Sequence, residues 1–201
     1  KNGVDIHAAT ASKVFGVPLD EVSRDQRSSA KAVNFGIIYG QSAFGLSQNL
    51  NISRTEAKQI IDSYFEQYPT IKDYMDGAIA SARDKGYVET IMKRRRYLAD
   101  INSAYAVVRG FAERNAINAP IQGSAADIIK VAMIGVKNAM DEARVKSKLL
   151  LQVHDELVFD VHEDEIEQMK SLVKYEMENA MKIAVPLDVE IEIGENWLDA
   201  H

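Results

Sequence analysis

RSSAKAVNFGIIYGQ, Arg27 to Gln41, sets Arg27, Lys31, Phe35 and Tyr39 at steps of four and then reaches Gly40. Residues four apart on an α-helix are turned by about 40° from one another, so these four sweep about 120° over about 18 Å and can line one groove. An amphipathic helix with both rings in a core and both cations in water would carry the same pattern. Two details separate the readings. The cations stand in the first turns, where the helix dipole is already positive and an external anion is the better partner. The far end offers flat rings on which a base can stack. Phosphates at one end and a base at the other describe a nucleotide. Gly40 sits where a left-handed residue closes a helix, so the spacing predicts a helix from about Arg24 to Tyr39.

Working outward, His7 to Phe15 reads as a helix that "GVPLD" breaks. Ser53 with Glu56 three residues on is a capping-box pattern, and Pro69 marks that helix's exit. A helix from about Thr70 to Lys85 stops at Gly86, and "YVETIMKRRRYL" then turns β-branched and aromatic, as a short hairpin would. Helices are expected over about Ala104 to Asn118 and Ile121 to Ala143, parted by Pro120, which lacks an N–H and disfavours helix at the residue before it. "KLLLQVHDELVFDV" is the strongest strand signal: two apolar runs flank His154, Asp155 and Glu156, which predicts a hairpin with the carboxylates at its tip. A helix from about Asp164 to Lys182 and a strand from about Leu187 to Ile193 complete an α+β pattern.

The 201 residues are 46% hydrophobic, enough for one sizeable core or two small ones. The chain has no long apolar run and no signal-peptide pattern near its first residue, which leads to the expectation of a soluble intracellular protein with no membrane partner. The absence of Cys excludes disulfide frameworks, thiolate metal sites and cysteine nucleophiles. The net charge of −6 hides a split: residues 1–114 carry 16 Lys and Arg against 13 Asp and Glu, while residues 115–201 carry 8 against 17. A positive part can approach phosphates, and an acidic part can hold divalent cations or be a solvated surface.

The pattern Arg27, Lys31, Phe35, Tyr39, Gly40 resembles the nucleotide-binding helix of the family A DNA polymerases, the bacterial DNA polymerase I-like enzymes. "DIHAATASKVFGV", "GYVETIMKRRRYL", "AERNAINAPIQGSAADIIK", "LLLQVHDELVFDV" and "GENWLDAH" resemble that family in the same order and spacing, so the likeness covers essentially the whole chain. It implies a mainly helical fingers subdomain, residues 1–107, followed by the C-terminal part of a palm subdomain, residues 108–201, with an antiparallel β-hairpin and flanking helices.

The resemblance also implies roles. Arg27, Lys31 and His7 would contact the triphosphate of a deoxynucleotide, Lys31 taking part in the chemistry. Phe35 would lie against sugar and base, and Tyr39 near the templating base. Arg114, Asn118 and Gln122, again four apart, would touch the minor groove and template near the primer end. Every base pair presents acceptors there, so donors can test pair geometry without reading sequence. His154 would support the primer terminus or the hairpin. Asp155 matches a metal ligand and Glu156 stands beside it as a second catalytic carboxylate. Two Mg²⁺ ions would serve the complete enzyme, since phosphoryl transfer needs an activated attacking oxygen and a neutralised leaving group. Lys93, Arg94, Arg95 and Arg96 read either as solvated surface or as a contact to a nucleic-acid backbone.

The family's other metal-binding Asp belongs to a D-x-S-x-I-E-L-R motif that does not occur in these residues. The expectation is therefore a fragment of a DNA-directed DNA polymerase of DNA replication and repair, without the N-terminal palm strands, thumb and exonuclease domains, and inactive alone. Its partners would be primer-template DNA and deoxynucleoside triphosphates, its parent a monomer, its location the bacterial cytoplasm at the nucleoid. Two other readings stand beside it: a non-catalytic nucleotide- or nucleic-acid-binding module, and a relative of the single-subunit RNA polymerases, which share the helix pattern.

Overall fold

The computed structural model describes residues 5–200. The chain divides into two compact units, the first ending at Gln122 and the second beginning at Gly123.

In the first unit, α1 (Ile6–Phe15) is followed by a 3-10 turn (Leu19–Glu21), α2 (Arg24–Ile38), α3 (Ala43–Leu50), α4 (Arg54–Gln67) and α5 (Pro69–Lys85). Capping chemistry sets these ends. Ser23 and Gln26 form a reciprocal capping box at the start of α2, and Ser53 and Glu56 form another at the start of α4. α2 ends in a Schellman motif: Gln41 N–H donates to Gly36 O at 2.8 Å and Gly40 N–H to Ile37 O at 2.9 Å. Gly40 adopts φ +74°, and a Cβ there would stand 3.1 Å from Arg114 Cγ, so both conformation and space call for glycine.

Val33 and Ile37 of α2, Leu46 of α3 and Ala57 and Tyr64 of α4 form one core. A second core joins Ala82 of α5 to Val88, Leu98 and Ile101 around the hairpin β1 (Tyr87–Glu89) and β2 (Arg95–Tyr97), and to Ala112 and Ala116 of α6 (Ala106–Ala143). Each large aliphatic side chain buried this way contributes about 1.5–3 kcal/mol. α3 answers to no expectation from the sequence. Ser42 caps it by accepting from Gly45 N–H at 3.2 Å, and Asn51 ends it at φ +53°.

The expected break at Pro120 does not occur, and α6 runs through it for 38 residues. Proline removes one intrahelical hydrogen bond and crowds the preceding turn. The carbonyl left without its helical donor is Ala116 O; one residue on, the Tyr74 hydroxyl of α5 donates to Ile117 O at 2.9 Å and ties α5 to this part of α6.

In the second unit, Val136 and Met140 of α6 pack with Met169 and Val173 of α7 (Ile166–Glu178), and Leu157 and Phe159 of the hairpin lie against them. That hairpin pairs β3 (Lys148–Val153) with β4 (Glu156–Asp160) in antiparallel register, with an irregularity between Leu149 and Leu151. Glu165, in the 3-10 turn before α7, accepts from the Lys146 and Ser147 N–H groups and from the Ser147 hydroxyl, tying that turn to the start of β3. The strand expected over Leu187 to Ile193 does not form. Its alternation survives, with Leu187, Val189 and Ile191 half-buried and Asp188, Glu190 and Glu192 exposed. A strand also needs a hydrogen-bonded neighbour, and both sheets among the described residues have only two strands, neither including this segment. No helix among the described residues is long and apolar enough to cross a membrane.

Candidate nucleotide and DNA-contact surfaces

On the first unit the candidate residues gather where α1 lies beside α2. Arg27 and Lys31 are exposed near the start of α2, and Phe35 and Tyr39 follow at 41% and 37% exposure. The Phe35 and Tyr39 rings stack with centroids 5.9 Å apart, and the His7 ring of α1 approaches Phe35 at 5.8 Å. Three rings therefore form a partly open aromatic row that continues from two cations, although an isolated amphipathic helix would turn such rings into a core. Val33, Asn34 and Ile37 occupy the buried side instead.

Arg27 is not free for an outside anion. Its Nε donates to Asp5 Oδ2 at 2.6 Å, while Asp5 Oδ1 accepts from His7 and Ala8 N–H and so caps α1. The Arg27 hydrogen bond, followed by the Ala8 N–H, holds the Asp5 carboxyl below the usual carboxylate range. Lys31 makes no ion pair among the described residues. His7 Nδ1 lies 2.9 Å from Asn34 Nδ2, and Asn34 Oδ1 lies 3.0 Å from the Thr10 hydroxyl. Asp5, Thr10 and Asn34 escaped the reading of the sequence. The signal for Asn34 was a polar residue on the apolar side of α2, beside Val33 and Ile37.

Arg114, Asn118 and Gln122 share one continuous helix rather than flanking a break. Arg114 is exposed, touches the Gly40 position and sets its guanidinium 5.9 Å from the Phe111 ring. Asn118 Oδ1 is enclosed without a hydrogen-bond partner, and Gln122 is exposed. In the basic run, Arg95 is held by Glu89 at 3.0 Å and lies 4.4 Å over the Tyr87 ring, so that cation is engaged within the hairpin. Lys93, Arg94 and Arg96 are exposed.

On the second unit, His154 and Asp155 form the two-residue turn between β3 and β4, both exposed. His154 takes φ +52°, a conformation usually left to glycine or asparagine, so the turn forms without the residue that would have announced it. Only Asp155 of the two carboxylates lies in the turn. Glu156 is the first residue of β4, half-buried and paired with Val153. Carboxylate oxygens suit a hard cation such as Mg²⁺. No group of three or more metal-ligating side chains occurs among the described residues, so the donors fit in kind and fall short in number.

The model of the DNA polymerase family A matches residues 1–199, and the chain belongs to that family. It is 55% identical over all 201 residues to DNA polymerase I of Lactococcus lactis subsp. cremoris, of which it covers 23%. It is 50% identical to DNA polymerase I of Pseudomonas aeruginosa, covering 22% of that protein. Among solved structures it resembles the POL domain of Pol1 from M. smegmatis in complex with DNA primer-template and dNTP. The TM-score there is 0.95 at 47% identity, over 100% of this chain and 35% of the other. The chain thus spans about a quarter of the length of the relatives it matches.

Proposed function

We propose that this chain is the part of a bacterial DNA-directed DNA polymerase that holds the incoming deoxynucleoside triphosphate and supplies one catalytic carboxylate. The observation carrying this is the surface of α1 and α2, where Arg27, Lys31, Phe35, Tyr39 and His7 combine two cations with three partly open rings. On this reading Lys31 and Arg27 bind the triphosphate, Arg27 exchanging its Asp5 partner for phosphate oxygens. Arginine's planar fork suits such bidentate contacts and lysine acts as a mobile point charge. Phe35 lies against sugar and base, and Tyr39 turns toward the template. Arg114, Asn118 and Gln122 contact the primer-template, and His154 supports the primer terminus.

Asp155 supplies a carboxylate oxygen to Mg²⁺, with Glu156 beside it. Two such ions in the complete enzyme supply charge neutralisation at the transferring phosphoryl group. The 201 residues alone bind nucleotide without extending a primer, because Asp155 and Glu156 are too few ligands for the metal site. The complete enzyme acts as a monomer at the nucleoid in replication and repair, with residues 1–107 in its fingers and residues 108–201 in its palm.

Titrating the ¹⁵N-labelled chain with a deoxynucleoside triphosphate tests this reading. Shifts confined to His7, Arg27, Lys31, Phe35 and Tyr39, absent with the unphosphorylated nucleoside, are expected. A triphosphate that moves none of them would contradict it.

A further inference from the structure

Two polar side chains are buried in the seam between α1 and α2: Thr10 is 2% exposed and Asn34 is 3% exposed. Burying polar groups is costly unless they are hydrogen-bonded, and an aliphatic pair would fill the seam without that demand. Beyond the Ile6 carbonyl, the pair's partner among the described residues is His7, which is half-buried.

With the Asn34 amide set Oδ1 toward Thr10 and Nδ2 toward His7, the hydrogen-bond inventory assigns the protons. The Thr10 hydroxyl has a single proton and sits 2.8 Å from Ile6 O and 3.0 Å from Asn34 Oδ1. Ile6 O already receives the Thr10 N–H in the helical i→i−4 pattern of α1. Asn34 Oδ1 has no other partner among the described residues, so the hydroxyl proton satisfies it. The Asn34 amide nitrogen then faces His7 Nδ1 at 2.9 Å. An –NH₂ group only donates, so Nδ1 accepts and the imidazole proton stands on Nε2.

We infer that Asn34 and Thr10 are positioning residues that hold His7 as its Nε2–H tautomer, a fixed hydrogen-bond donor for a phosphate oxygen. The phosphate as recipient rests on the reading of His7 proposed above; the relay itself does not. A ring with Nδ1 pinned by a buried amide meets its ligand with one orientation and one proton location, without reorganising on binding.

The test is imidazole ¹⁵N NMR of the 201-residue chain at about pH 8.5, where an imidazole is ordinarily neutral. His7 is expected to show an unprotonated, hydrogen-bonded Nδ1 and a protonated Nε2. Asn34→Asp offers a carboxylate, which can only accept, and is expected to move the proton to Nδ1. Thr10→Val removes the hydroxyl with little change in shape and is expected to give a mixture of tautomers; it keeps the test intact if Asn34→Asp fails to fold. A wild-type ring protonated on Nδ1 would overturn the relay, as would folded variants that leave the wild-type tautomer unchanged. Adding a deoxynucleoside triphosphate separates the two claims. If His7 shows the Nε2–H tautomer but does not respond to it, the phosphate reading fails and the relay stands.

Discussion

Arg27 Nε and Asp5 Oδ2 meet at 2.6 Å, and the other oxygen of that carboxylate caps α1. One side chain thereby orders the start of one helix and a cation of the next. Asp5→Asn keeps a capping oxygen and removes the charge. The amides of α1 are expected to keep their protection from exchange, while the Arg27 Nε–H exchanges faster. Asp5→Ala is expected to lose both. Unchanged Arg27 exchange in Asp5→Asn would show that the pair does not hold that side chain in solution.

Gly40 and Gly16 separate conformation from space. Both have positive φ, +74° and +65°, but only Gly40 faces a close neighbour, with Arg114 Cγ 3.1 Å from where a Cβ would stand; nothing lies within 4 Å of the same point at Gly16. Gly16→Ala is expected to cost about 1–2 kcal/mol, the penalty of a left-handed L-residue. Gly40→Ala is expected to cost more and to displace Arg114. Equal denaturation midpoints for the two variants would refute the packing component.

Tyr74→Phe removes the hydroxyl that donates to Ile117 O beside Pro120. A loss of about 1 kcal/mol is expected, the usual worth of one such hydrogen bond. Exchange of the α6 amides around Ile121 should quicken in the same variant. A change in neither would mean that α6 passes Pro120 without this support.

Glu165 gives the second unit one pH-dependent contribution to its stability. The Ser147 hydroxyl, then the Lys146 N–H, pull its pKa from 4.5 to about 2. A carboxyl depressed on folding contributes stability that is present above its unfolded value and lost as pH falls through its folded one. Wild type should therefore exceed Glu165→Gln in stability by a constant margin above pH 4.5, with the margin closing as pH falls toward 2. Denaturant midpoints at several pH values measure it; a pH-independent margin would show that charge is not what Glu165 contributes.

In the parent polymerase proposed above, Phe35→Tyr places a hydroxyl at the proposed sugar contact. Incorporation of dideoxynucleotides is expected to rise relative to deoxynucleotides by roughly tenfold or more, on the scale of one hydrogen bond to a charged group. Unchanged discrimination would move Phe35 away from the sugar.

Legibility followed local chemistry. α2 was readable because its steps of four end at Gly40 within one stretch, the Ser23 and Gln26 box at its start showing only in the structure, and α4 because Ser53 and Glu56 open it and Pro69 marks its exit. α3 is only eight residues with a glycine at Gly45, and its evidence was the pair of caps, Ser42 and Asn51, rather than a periodic face. Pro120 misled because a missing N–H need not end a helix held by contacts distant in sequence, such as Tyr74 on Ile117, 43 residues apart. The segment from Leu187 to Ile193 misled for the opposite reason: alternation is local, but a strand is a relation between two segments. The steps of four named the exposed half of the candidate surface. Its supporting half, Asp5, Thr10 and Asn34, became visible only once α1 lay against α2.

The catalytic part of the proposed function turns on Asp155, at the turn between β3 and β4, serving the chemistry of nucleotide addition. Single-turnover primer extension with Mg²⁺ by the parent polymerase proposed above, wild type against Asp155→Ala, decides it, beside primer-template binding by both. The extension rate is expected to fall by at least about 10³-fold, several kcal/mol of transition-state stabilisation, with binding little changed. A variant that extends at the wild-type rate would contradict the assignment.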